Sequence, residues 1–103
     1  MKNRLESLLE LHEKDPSDSF LIYGIALEYI SQNDLDKAEE YLRNLLEKDP
    51  AYVPGFMQLG RVLENKDKMK EAKTIYTEGI KAAKKSGDRK SANEMEDFLD
   101  DLN

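Results

Sequence analysis

One histidine, His12, and 22 acidic side chains are the groups in this 103-residue chain that first suggest acid–base or metal chemistry. A catalytic histidine needs a nucleophile or an orienting partner within hydrogen-bond reach. The chain has no cysteine and no Gly-x-Ser-x-Gly turn to present a nucleophile. His12-Glu13 begins like a zinc-protease helix, but no second histidine follows at the required spacing. Asn33-Asp34-Leu35-Asp36 has the opening of a calcium loop, yet the glycine at its sixth place and the closing glutamate are missing. That stretch reads instead as a turn and a helix cap. With so many acids, close carboxylate pairs are inevitable and carry no weight for catalysis. No glycine-rich phosphate loop is present. The expectation is therefore a chain that is not an enzyme and takes no metal and no cofactor. Lys81, Lys84, Lys85, Arg89 and Lys90 form a basic cluster able to grip an acidic peptide. Its plainer reading is charge at a helix C-terminus, where cations meet the negative end of the helix dipole, and a solvated turn.

Composition narrows the class further. The chain is 37% charged and 39% apolar with a net charge of -6, which suits a helical protein with a heavily solvated surface. An acidic chain repels phosphate backbones, so no nucleic-acid partner is expected. No run of 18 apolar residues exists, so no membrane span is expected. Glu6, Glu10 and His12 interrupt the leucines of MKNRLESLLELHEKD, which therefore lacks the apolar stretch of a signal peptide. A cytoplasmic location follows as the default expectation. Residues 1–103 suit a single domain, burying roughly 60–70% of the unfolded surface.

Apolar residues recur at steps of three and four along the whole chain, which predicts helices over about 2–14, 19–32, 35–48, 53–66, 68–85 and 88–102. Leu5, Leu8, Leu9 and Leu11 of the first helix are expected inward or partly inward. Asp15-Pro16 stops it, since proline disfavours helix in the residue before it. Ser17 or Asp18 can cap the second helix, Asp34 the third and Asp67 the fifth, each by accepting orphan amide hydrogens. Pro54 falls in the first turn of the fourth, where a missing N–H costs nothing. Gly87 can supply a left-handed stop after the fifth. Ala92, Met95, Phe98, Leu99 and Leu102 give the last segment an apolar side.

The tetrapeptide Glu-Lys-Asp-Pro occurs at 13–16 and again at 47–50, an interval of 34. The same interval relates the apolar positions. Ile22, Ile25-Ala26, Tyr29, Ala38, Leu42 and Pro50 are followed by Phe56, Leu59-Gly60, Leu63, Ala72 and Tyr76. Self-similarity at such a period marks a repeat array, and this pattern resembles the tetratricopeptide repeat. It departs in two places: Ile22 and Phe56 stand for the family's tryptophan, and Lys84 stands where the second unit's proline would be. The resemblance implies an all-α solenoid of antiparallel helix pairs in a right-handed superhelix. It divides the chain into a partial repeat helix (1–16), repeats at 19–52 and 53–86, and a C-terminal capping helix (88–102). The compact acidic form is similar to small bacterial repeat proteins. Small residues at Ala26, Gly60, Ala38 and Ala72 would let the helices of a unit approach closely.

In that family the first helix of each unit lines a concave groove. Phe20, Tyr23 and Leu27 share one helical face by their i, i+3, i+7 spacing. Met57 and Arg61 are the counterparts of Tyr23 and Leu27 in the next unit, with Gln58 beside them. The resemblance implies a non-enzymatic adaptor that binds a peptide or protein segment there. Anchoring falls to Phe20, Tyr23, Leu27 and Met57, and orientation to Gln58 and Arg61. An alternative is that the C-terminal helix, or a symmetry mate, packs over this face. Some members clamp acidic chaperone tails with Lys, Asn and Arg side chains; the matching places here hold Tyr23, Leu27 and Gln58, so that clamp is not expected. Gly24, which costs about 1 kcal/mol relative to alanine in mid-helix, reads either as room for a partner's backbone or as tolerated drift. The N-terminal helix lacks the helix that would precede it in a unit. Its leucines suggest the competing function, a homodimeric structural module.

Overall fold

The computed structural model describes residues 2–103; Met1, the first residue of the expected domain, lies outside them. Among the described residues six helices and no strands form: Arg4–Lys14 (α1), Ser19–Ser31 (α2), Leu35–Lys48 (α3), Val53–Asn65 (α4), Met69–Ser86 (α5) and Arg89–Leu102 (α6). Each packs against its neighbours in the chain, and α6 also touches α4. The stack measures 44 × 29 × 20 Å. No helix among the described residues is long and apolar enough to cross a membrane.

The caps explain the helix starts. Asn3 accepts from the Glu6 amide at 2.8 Å, Asp34 from Lys37 at 3.2 Å and Asp88 from Ser91 at 3.0 Å. Of the two expected caps of α2, Asp18 fills the role and Ser17 does not. The expected Asp67 cap of α5 is not formed. Lys68 occupies that cap position without a side-chain bond, while Asp67 takes a left-handed turn with φ of 59°. Its counterpart in the preceding unit is Asn33, also at φ 59°. The frame keeps the places of turn and cap, and the second unit carries its acid one place too early to cap.

The core is one continuous cluster that includes Ile22 and Ala26 from α2, Ala38, Leu42 and Leu45 from α3, Phe56, Leu59 and Leu63 from α4, Ala72 and Tyr76 from α5, and Met95 from α6. The small residues set the helix spacing. A Cβ on Gly60 would overlap the Tyr76 ring, and one on Gly79 would meet Met95 and Phe56 at 2.6 and 2.7 Å. α6 joins this core out of frame. Its stripe Ala92, Met95 and Leu99 matches Phe56, Leu59 and Leu63 at an interval of 36, not 34. The two extra residues arise because α5 continues to Ser86 before Gly87 turns the chain at φ 80°.

α1 covers α2 only in part. None of its residues is buried, and Leu11 is 49% exposed. Its frame counterpart Leu45 is fully buried. Leu11 keeps about half of its surface in solvent because, among the described residues, α1 packs chiefly on α2. Gly24 faces α1, where a Cβ would make ordinary contact with Leu8 at 3.5 Å. The room beside it belongs to this chain's own α1, not to a partner's backbone.

A charged joint ties α3 to the turn between α4 and α5. Glu39, with a side chain only 13% exposed, binds Arg43 at 2.8 Å and Lys66 at 2.6 Å, and Lys68 approaches at 3.4 Å. Asp36 adds a second carboxylate to Lys66 at 2.7 Å, and Arg43 reaches Glu71 at 3.0 Å. Burial raises the Glu39 pKa, but hydrogen bonds from Lys66 and Arg43 outweigh it and bring the carboxyl from 4.5 to about 2.

Candidate functional site

α2 and α4 turn their buried stripes (Ile22, Ile25, Ala26 and Phe56, Leu59, Gly60) into the stack. This leaves the faces bearing Phe20, Tyr23 and Leu27, and Met57, Gln58 and Arg61, less covered. Phe20 stands out: it is 71% exposed, the most exposed large apolar side chain among the described residues. One turn on, Tyr23 lies 5.4 Å from Tyr52, ring centre to ring centre, at an interplanar angle of 51°. That tilted geometry is favoured for aromatic pairs. Tyr52 was not among the residues expected here. It lies in the turn before α4, outside any helical stripe, so periodicity could not find it.

Tyr23 and Met57 are half-buried, with one side against the core and the other toward solvent. Leu27 and Gln58 are also half-buried. Arg61 is exposed, and its guanidinium sits 4.7 Å above the Phe98 ring of α6. Phe98 in turn packs on Tyr76 at 5.6 Å. So α6 reaches over one end of this face, at Arg61, and leaves the Phe20 end open. The α6 partner of Arg61 was not legible in sequence, because the offset of two residues hides which side of α6 faces α4.

Glu64, one turn beyond Arg61, accepts a hydrogen bond from the Tyr76 hydroxyl. Burial, reinforced by that carboxylate, holds the Tyr76 hydroxyl far above its ordinary pKa, so it stays protonated and structural.

His12 has no catalytic surroundings. Its ring meets Tyr41 edge-on at 6.2 Å, Tyr41 stacks on Tyr29 at 5.6 Å, and its buried Nδ1 has no hydrogen-bond partner. It is a packing residue at the α1–α3 seam. Among the described residues no group of three or more His, Asp or Glu side chains is placed to hold a metal ion. In the basic cluster, Lys84 pairs with Glu96 at 3.3 Å, and Lys84, Arg89 and Asn93 line a shallow cleft beside Gly87.

Comparison with known proteins agrees with this architecture. A TPR repeat-containing protein of Pseudomonas aeruginosa is 27% identical over 92% of this chain and 90% of its own length. The tetratricopeptide repeat domain protein of Salinibacter ruber, solved in solution, superposes with a TM-score of 0.81 at 31% identity, covering 85% of this chain and 89% of that one. The TPR2B domain of yeast Sti1, solved as a complex with pHsp70, superposes with a TM-score of 0.89 over 95% of this chain and 78% of that one. At 14% identity it speaks for the fold alone. The model of the tetratricopeptide repeat family matches residues 29–92, and with the repeat interval of 34 and the glycine-seated helix pairs, this places the chain in the tetratricopeptide repeat family, whose fold generally serves as a protein-interaction module.

Proposed function

We propose that this protein is an adaptor that holds a peptide or protein segment on the face built from Phe20, Tyr23, Leu27, Met57, Gln58 and Arg61. The observation that carries this reading is Phe20. A phenylalanine exposed to 71% among the described residues, three residues from a half-buried tyrosine pair, is an apolar group free to anchor a partner. Aromatic anchors of this kind carry about 2 kcal/mol or more of binding energy each when a partner desolvates them. The polar clamp of some family members has no counterpart here, so the partner differs in chemistry. The test is a groove-dependent capture from the source cell, comparing wild type with Phe20→Glu and with Tyr23→Glu/Met57→Glu. Loss of the same band in both variants at unchanged helicity supports the reading; capture that survives both overturns it.

A second reading rests on α1. Leu11 is half-exposed and no α1 residue is buried, so a second copy laid against α1 would cover its exposed leucines. Light scattering decides it. A concentration-dependent dimer that Leu11→Glu dissolves supports this reading, and a wild-type monomer at all concentrations removes it.

A further inference from the structure

The open end of the proposed groove lies in a half of the chain with its own charge. Residues 1–52 hold 12 acidic and 6 basic side chains, whereas residues 53–103 hold 10 of each, so the whole net charge of -6 belongs to the first half. Phe20, Tyr23 and Tyr52 all belong to that half.

Two of its carboxylates are held by hydrogen bonds at the start of α2, and both act on the Tyr52 hydroxyl. Asp18 precedes α2, and its Oδ1 accepts the amides of Phe20 at 2.9 Å and Leu21 at 3.3 Å. Asp49 ends α3 three residues before Tyr52, and its Oδ2 accepts the Ser19 hydroxyl at 3.0 Å. That bond ties the end of α3 to the start of α2 and sets the two carboxylates at the same rim. Among the described residues neither takes part in an ion pair. The nearby Lys48 gives its ammonium to the Pro16 carbonyl at 3.0 Å instead. The Tyr52 hydroxyl registers the field. Burial raises its pKa first, and Tyr23, Asp49 and Asp18 raise it further.

We infer that this end of the groove takes a basic peptide segment, an arginine or lysine beside an apolar residue, with the cation between the Phe20, Tyr23 and Tyr52 rings and the Asp18 and Asp49 carboxylates. The inference rests on the groove reading above and adds the chemical class of its ligand. An aromatic face attracts a cation through its quadrupole, and guanidinium does so best because it is planar and weakly hydrated. The protein makes this contact within itself at the other end of the same face, where Arg61 lies 4.7 Å above Phe98. There the cation comes from α4. Among the described residues no cation lies over the rings at the open end, and the two carboxylates there have no ion-pair partner. An acidic ligand would meet like charge at the same place.

Three labelled synthetic peptides, alike in their apolar residues and differing only in carrying Arg, Gln or Glu, test this against the full chain by fluorescence anisotropy. The Arg peptide binds about tenfold more tightly than the Gln peptide, the sum of a cation–π contact and a charge pair, and the Glu peptide binds worst. Raising the salt concentration narrows the gap. Asp18→Asn/Asp49→Asn keeps the capping acceptors, since asparagine caps as well as aspartate. It removes the charge-pair share, so the Arg peptide falls part of the way to the Gln peptide and keeps the cation–π share, while the Gln peptide is unchanged. Equal binding of all three peptides, still abolished by Phe20→Ala, overturns the charge preference and leaves the groove standing. Binding that ignores Phe20→Ala removes the groove and the inference together. No binding of the Arg peptide, or tighter binding of the Glu peptide, overturns the inference.

Discussion

The ring of Tyr76 occupies the space that a side chain on residue 60 would need: a Cβ built on Gly60 lies 2.5 Å from Tyr76 Cζ and 2.7 Å from Cδ1. Tyr76 is fully buried and its hydroxyl is tied to Glu64, so the ring cannot turn aside. Gly60→Ala should therefore destabilise. Overpacking costs about 1–3 kcal/mol, more than the up to about 1 kcal/mol returned by helix propensity. Gly24→Ala is the matched control, since its Cβ meets Leu8 at an ordinary 3.5 Å. It should gain about 0.5–1 kcal/mol from propensity. Thermal unfolding followed by circular dichroism reads both, and a Gly60→Ala melting point at or above wild type would refute the packing argument.

The Glu39 joint makes stability depend on acid. Its folded pKa of about 2 lies below the ordinary 4.5. In that window the unfolded chain binds more protons than the folded one, so stability rises with pH there. The contribution is complete above about 4.5 and is lost as the pH falls toward 2. Glu39→Gln should flatten this part of a urea-midpoint-against-pH curve. It should also cost about 1–2 kcal/mol at neutral pH, as hydrogen bonds to charged groups are lost. An unchanged slope between wild type and variant would show that Lys66 and Arg43 do not hold the carboxylate.

α1 should open first. With no buried residue and a contact surface chiefly on α2, it has the least apolar area to lose on local unfolding. Hydrogen exchange should show the amides of 8–14 exchanging well before those of α3 to α5, without global unfolding. Equal protection across α1 and α4 would mean that something else covers the Leu11 side.

Phe98 serves two neighbours, the Tyr76 ring and the Arg61 guanidinium. Phe98→Leu keeps most of the packing and removes the cation contact. Arg61→Ala in a wild-type background should then cost about 0.5–1 kcal/mol, and in the Phe98→Leu background close to nothing. A double-mutant cycle by urea unfolding measures the difference, and additivity would exclude the contact.

Most of the fold was legible because the frame of 34 reports a physical need. Where α4 and α5 approach, the pattern shows a small residue, Gly60, opposite a large one, Tyr76. What the frame could not show were contacts that break it. Tyr52 reaches Tyr23 from a turn, Phe98 reaches Arg61 from a helix displaced by two residues, and Asp67 sits where a turn, not a cap, is required. Gly24 was ambiguous because a glycine on a helix surface does not say which neighbour approaches it; α1 does. The candidate binding residues came from the faces of α2 and α4 alone, and the aromatic and acidic groups beside them were assembled only by the chain's return through Asp49 and Tyr52.

The displaced stripe of α6 gives the array a direction of growth. At the α1 end the phase is intact, since Leu8, Leu11 and Pro16 stand one full period before Leu42, Leu45 and Pro50. A helix grafted ahead of α1 would meet leucines in the same phase as those that α4 meets on α3. At the other end, a further unit in phase with α4 would need apolar groups at 90, 93 and 97, where the chain has Lys90, Asn93 and Asp97. A module grafted ahead of α1 would follow the frame of 34, whereas one grafted behind α6 would follow a phase displaced by two residues.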